Sequence, residues 1–185
     1  MRHNRYAPYI LFTEVGAFSV SIGQIAKGFI ITEGGMTVGK GIHQVDVHAS
    51  QSSVWAFIRD LNAWATLVPG YREHTILSDR ESHWKFVLHY GVVTKKMHVQ
   101  VWITEWIVPS EVKFTLTGIN QRFTGTGYFK ADETSPLVIR MTGCLMIEST
   151  SPLAKLLQTT FDHKIIDLTK ELTTAVGEAI ERKES

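Results

Sequence analysis

Residues 151–185 read SPLAKLLQTTFDHKIIDLTKELTTAVGEAIERKES, and the fold of the whole chain turns on them. Ser151 stands where a helix N-cap belongs, and Pro152 takes the first helical position, where its missing N–H costs nothing. Leu153, Leu156, Leu157, Phe161, Ile165, Leu168, Leu172 and Val176 then recur three or four residues apart, so they share one apolar stripe. Asp162, Lys170, Glu171, Glu178 and Glu181 fall off that stripe. The spacing predicts one continuous helix of about 45 Å, longer than an ordinary strand. Such a stripe needs a broad apolar partner, and the helix is expected to lie across a whole sheet.

The preceding sequence supplies strands. His83 to Tyr90 places Trp84, Phe86, Leu88 and Tyr90 on one face, and Met97, Val99, Val101 and Ile103 alternate with Lys96, His98 and Gln100. Val112, Phe114 and Leu116 alternate with Glu111, Lys113 and Thr115. Residues 71–78, 122–131 and 137–147 read as three more strands, separated by turn signals such as Ser78-Asp79 and Pro109-Ser110. Short turns between successive strands imply an antiparallel meander. Further upstream, a strand through Val45 and Val47 leads to two short helices. Ser50 and Asp60 are their expected N-caps, and Pro69-Gly70 stops the second. The order is strand, two short helices, six strands and a long helix: an α+β chain with a curved sheet of about seven strands.

Residues 1–35 show no sustained periodicity and read as an N-terminal extension of unknown role, with residues 36–185 as the domain. Glu14 interrupts the apolar run after the basic start, so export is not expected. No apolar run is long enough for a membrane-spanning helix, and a cytoplasmic location is expected. The 185 residues are 44% apolar and 20% charged with a formal net charge of +1, which gives no global field for nucleic acid. Cys144 is the single cysteine, so an intramolecular disulfide is impossible; its apolar strand suggests a buried, inert thiol.

Three stretches carry a family resemblance. They are Val45-Asp46-Val47 running into Ser50-Gln51-Ser52-Ser53-Val54-Trp55, the Leu67-Val68-Pro69-Gly70 stop, and Glu111 to Gly118 followed by Phe123-Thr124-Gly125-Thr126-Gly127. In this order and spacing they resemble the START-like (SRPBCC, polyketide cyclase–lipid transport) superfamily, from about Gln44 onward. The last pair is similar to its CoxG branch, the one associated with carbon monoxide dehydrogenase. The resemblance implies the helix-grip fold, with an elongated cavity between sheet and C-terminal helix for lipids, quinones or polyketides. It also implies service to the maturation or membrane attachment of a redox enzyme, with that enzyme or a membrane surface as partner. It transfers no catalytic residue.

The inward phase of the strands is apolar and aromatic. Expected ligand contacts are Trp64, Trp84, Phe86, Leu88, Tyr90, Val99, Val101, Phe114, Leu116, Phe129 and Met141, with Leu157, Phe161 and Ile165 from the helix. Gly125, Gly127 and Gly143 share that phase, where missing side chains leave space or curve the sheet. Lys85, His89, Lys96, His98, Glu111, Lys113, Lys130 and Arg140 fall in the outward phase. General acid–base chemistry needs a titratable group within reach of the substrate, so binding is favoured over catalysis. The scattered histidines form no metal-ligating pattern, although His89 and His98 could face each other across a hairpin. Neither a metal nor a cofactor is expected. The expected function is non-catalytic carriage of a hydrophobic small molecule. The alternative is a cyclase or dehydratase on an aromatic polyketide-like substrate, with Tyr90 and His98 as first suspects.

Overall fold

A computed structural model of the chain describes residues 37–90, 92–119 and 121–184. The expected N-terminal extension lies outside the described residues. Strand β1 (Thr37–His48) leads into helices α1 (Gln51–Ile58) and α2 (Leu61–Ala65). Six strands follow: β2 (Tyr71–Ile76), β3 (Glu81–Tyr90), β4 (Val93–Ile107), β5 (Glu111–Gly118), β6 (Phe123–Ser135) and β7 (Val138–Ser149). Helices α3 (Pro152–Leu156) and α4 (Gln158–Glu184) end the chain. No described helix is long and apolar enough to cross a membrane.

The local signals act as their chemistry requires. Ser50 Oγ accepts from the Ser53 N–H at 3.1 Å, and Asp60 Oδ1 accepts from the Asn62 N–H at 2.9 Å, which caps α1 and α2. Gly70 adopts a φ of 74°, and a Cβ there would collide with the Val87 carbonyl. Only glycine makes that turn without strain, and so β2 starts directly after it.

Strands β2 to β7 form the expected meander. The seven-stranded antiparallel sheet runs β1-β7-β6-β5-β4-β3-β2, so the first strand pairs with the last and α1–α2 carry the chain from one edge to the other. Register shifts between Ile103 and Glu105 and between Glu133 and Ser135 insert one extra residue each, and bulges of this kind bend a sheet.

The C-terminal segment departs from the expected single helix in two ways. First, it breaks at Leu157, whose φ of −106° and ψ of 35° leave the helical region. No residue of α3 is buried, and Leu156 is 79% exposed, so that leucine is not part of the packed stripe. Of α3 only Ala154 packs against the core, so little holds the first turn to the axis of α4. Second, α4 does not cross the whole sheet. It packs along β1 and β7, and only its fringe reaches β3.

Glycines account for that placement. A Cβ on Gly41 would fall on Thr169 Oγ1 and within 2.8 Å of the Ile165 carbonyl oxygen. A Cβ on Gly143 would fall on Thr173 Oγ1. The helix backbone therefore rests almost directly on the β1–β7 ladder. The inward space at Gly143 belongs to α4, that at Gly127 to the Phe114 ring, and that at Gly125 to Ile147. At Gly125 and Gly127 the missing side chains are thus filled by close packing and open no room for a ligand, whereas Gly143, beneath Thr173, lines the cavity described below.

Gly→Ala in an unstrained strand ordinarily stabilises through the unfolded chain. Gly41→Ala is expected to do the opposite and cost about 1–3 kcal/mol, because a backbone carbonyl stands in the way. Urea unfolding should show a lower midpoint with an unchanged slope.

Candidate functional site

With α4 drawn onto one edge of the curved sheet, the strands on the other side remain uncovered. The result is a cavity of about 340 Å³ between the inner sheet face, α2, α3 and α4. That volume is within the range of small-molecule sites.

Its closed end is aromatic. Trp64 projects from α2, 1% exposed, with its ring 4.9 Å from Trp84 and 5.2 Å from Phe129, both edge-on, and 5.3 Å from Phe114. Such offset geometries are favoured by the ring quadrupoles. Trp84 Nε1 donates to Ser82 Oγ at 2.8 Å, and Ser82 Oγ donates to the Thr75 carbonyl at 3.0 Å. Trp64 Nε1 is buried without a hydrogen-bond partner.

Phe86 and Leu88 of β3, Val99 of β4 and Leu116 of β5 continue the wall. Leu157, Phe161 and Ile165 form the roof. Of the residues expected to contact a ligand, Trp64, Trp84, Phe114 and Phe129 thus join these seven around one space. Val101 and Met141 do not. Both are fully buried outside the cavity wall. At Met141 the cause is close packing: a Cβ on Gly177 of α4 would be 3.7 Å from its Cε and 3.0–3.2 Å from Val45 and Val47. That end of the sheet is solid core. The Tyr90 side chain lies outside the described residues.

Three hydroxyls on the cavity wall are already committed. Thr169 Oγ1 donates to the Ile165 carbonyl and Thr173 Oγ1 to the Thr169 carbonyl, each at 2.7 Å, while Ser149 Oγ donates to the Arg122 carbonyl at 3.0 Å. No Asp, Glu or His among the described residues lines the space. His98 is paired with Lys85, with its ring 5.8 Å from that of His83 on the outer face. It is therefore not placed to act on a cavity ligand. His89 is opposite Thr94 and bonds its hydroxyl at 3.1 Å, so His89 and His98 do not face each other. No cluster of three or more potential metal ligands exists among the described residues.

The sequence pattern missed the open end. Lys95 lines the cavity, in phase with Met97 and Val99, and one more step of the same alternation would have found it. Gln121 and Arg122 also line it, but they belong to a connection whose orientation no periodicity encodes. Exposed Arg122 and Leu153 mark the side open to solvent.

Cys144 is half-buried and falls in the outward phase between Tyr128 and Ile42, so it is less enclosed than its sequence context suggests. Burial nevertheless pushes its thiol above the ordinary range.

Neither a protein-family model nor a curated protein matches the chain. Solved structures do. A conserved protein from Geobacillus kaustophilus superimposes with a TM-score of 0.68 at 12% identity, covering 78% of this chain and 96% of that one. The Zhui aromatase/cyclase from a Streptomyces strain gives 0.62 at 11% identity, covering 80% and 96%. Norcoclaurine synthase from Thalictrum flavum, in complex with dopamine and hydroxybenzaldehyde, gives 0.56 at 12% identity, covering 86% and 96%. At such identities the likeness is one of fold: this chain has the helix-grip architecture.

Two outcomes follow from the site geometry. Trp64→Ala removes a ring packed on three others and is expected to cost about 3–5 kcal/mol by denaturant unfolding, whereas Trp64→Phe, which gives up no hydrogen bond, should cost under about 2 kcal/mol. Cys144 should react with iodoacetamide at neutral pH more slowly than a small thiol, because the thiolate is the reactive form, and faster as pH rises. Mass spectrometry of timed samples reads both rates.

Proposed function

We propose that the protein binds and carries a hydrophobic small molecule in the cavity between its sheet and α4, without transforming it. One observation supports this above the others: an aromatic and aliphatic cavity of about 340 Å³ in which the Ser149, Thr169 and Thr173 hydroxyls are bonded to backbone carbonyls. Ligand sites are mostly apolar with few orienting polar groups, and this wall has that character. The aromatase/cyclase and the dopamine-bound norcoclaurine synthase with the same architecture are enzymes by their names. Here neither a carboxylate nor an imidazole among the described residues lines the cavity to move a proton. A cyclase or dehydratase role would have to draw on another group, such as Lys95 of the wall or Tyr90, whose side chain lies outside the described residues.

The specific form of the proposal is a lipid or quinone carried for a redox enzyme in the cytoplasm. It rests on the likeness of Glu111–Gly118 and Phe123–Gly127 to the CoxG branch, not on the cavity.

Native mass spectrometry of gently purified protein should show a mass adduct that solvent extraction removes. Decylubiquinone or a lysophospholipid should quench tryptophan fluorescence, since Trp64 and Trp84 line the space. Leu157→Asp puts a charge into the roof at a partly exposed site and should weaken binding at least about tenfold while circular dichroism stays unchanged. An absent adduct together with no quenching by either compound would sink the carrier proposal.

A further inference from the structure

Four outward-facing cations of the sheet sit on carboxylates, while exposed Lys40 and Lys96 have no ion pair among the described residues. Lys85 meets Glu73 at 2.6 Å, Lys113 meets Glu105 at 2.8 Å, Lys130 meets Asp132 at 2.8 Å and Arg140 meets Asp46 at 2.9 Å. Two further cations differ in position, since they border the apolar cavity. Lys95 and Arg122 have no ion pair among the described residues, and no Asp or Glu lines the wall beside them. Lys95 is half-buried in the inward phase, directly opposite Leu88, whose side chain is buried.

Gln121 holds these cations at one end. Its Nε2 donates to the Lys96 carbonyl at 3.2 Å, and its Oε1 accepts from the His98 N–H at 3.3 Å, which staples the β5–β6 connection to β4 beside Lys95. The Arg122 carbonyl in turn accepts from Ser149 Oγ and the Thr150 N–H, which ties it to the entry of α3. Trp64, by contrast, packs on Trp84, which is opposite Val99. Val99 is four residues from Lys95 along β4, about 13 Å at the rise of a strand. The cavity is therefore polarised, with an aromatic closed end and a cationic open end.

We infer that the ligand is an amphipath with a single anionic terminus of the carboxylate class, its charge at Lys95 and Arg122 and its apolar body directed towards Trp64. A partly desolvated cation without a counter-charge favours an anion there, and a charge-assisted hydrogen bond is stronger than a neutral one. This inference rests on the carrier proposal and adds the chemistry of the head group.

Three probes of equal chain length separate the two: decanoate, decanol and decylamine, titrated by calorimetry into the full chain at neutral pH. Decanoate should bind about tenfold tighter than decanol, and decylamine weakest. Lys95→Gln combined with Arg122→Gln should bring decanoate down to the affinity of decanol and leave decanol unchanged, with the unfolding midpoint of the variant confirming an intact fold. Equal affinities of decanoate and decanol for the unaltered chain, or tighter binding of decylamine, would overturn the anionic head group and leave the carrier proposal standing. Failure of all three probes to bind would overturn both.

Discussion

The close seating of α4 on the β1–β7 ladder is the constraint from which the other features follow. Gly41 and Gly143 let the helix backbone come down to where Cβ atoms would otherwise hold it off. Thr169 and Thr173 fill the contact and turn their hydroxyls back onto helix carbonyls, so a polar pair is buried without an unmet hydrogen bond. A helix held so tightly at one edge cannot also cover β3 to β5. The sheet bends over it, helped by the bulges in β4 and β6, and the gap between them is the cavity. Close packing and open space are thus two results of one placement.

The two ends of that gap are built from different material. The aromatic cluster around Trp64 comes from four separate elements, and its burial anchors α2 against the sheet while closing the cavity below. The open end is made of connections: the start of β4, the β5–β6 link and the junction of β7 with α3, joined by bonds through Gln121, Ser149 and the Arg122 carbonyl. The space has an apolar floor and a cationic rim tied together by hydrogen bonds. Among the described residues no Asp, Glu or His lines it.

Much of the fold was legible because periodicity records which face of an element is buried. Alternation at Trp84, Phe86 and Leu88 identified the inner face of β3, and Ser50 and Asp60 marked helix starts through the oxygen that each places on a free N–H. Eleven of the expected contacts surround one cavity for the same reason. The exceptions are informative. Val101 and Met141 have the right phase, but phase says only that a side chain points inward, not whether it meets a void or solid core. Leu156 obeys the helical spacing, yet the backbone breaks one residue later, and no sequence period reports such a break.

The sequence by itself determined the class of architecture: strands of alternating polarity, two capped short helices and a long apolar stripe that required a sheet to bury it. These are local properties, set by side-chain spacing and capping chemistry within a few residues. The tertiary structure alone decided where along the sheet the helix rests, because that depends on glycines of β1 and β7 meeting threonines of α4 that are distant in the chain, Gly41 from Thr169 and Gly143 from Thr173. It therefore also decided which inward residues line a cavity, and that its rim carries Lys95 and Arg122. The stripe at residues 151–185 called for a broad partner surface; the glycines confined it to one edge, and a site was left beside it.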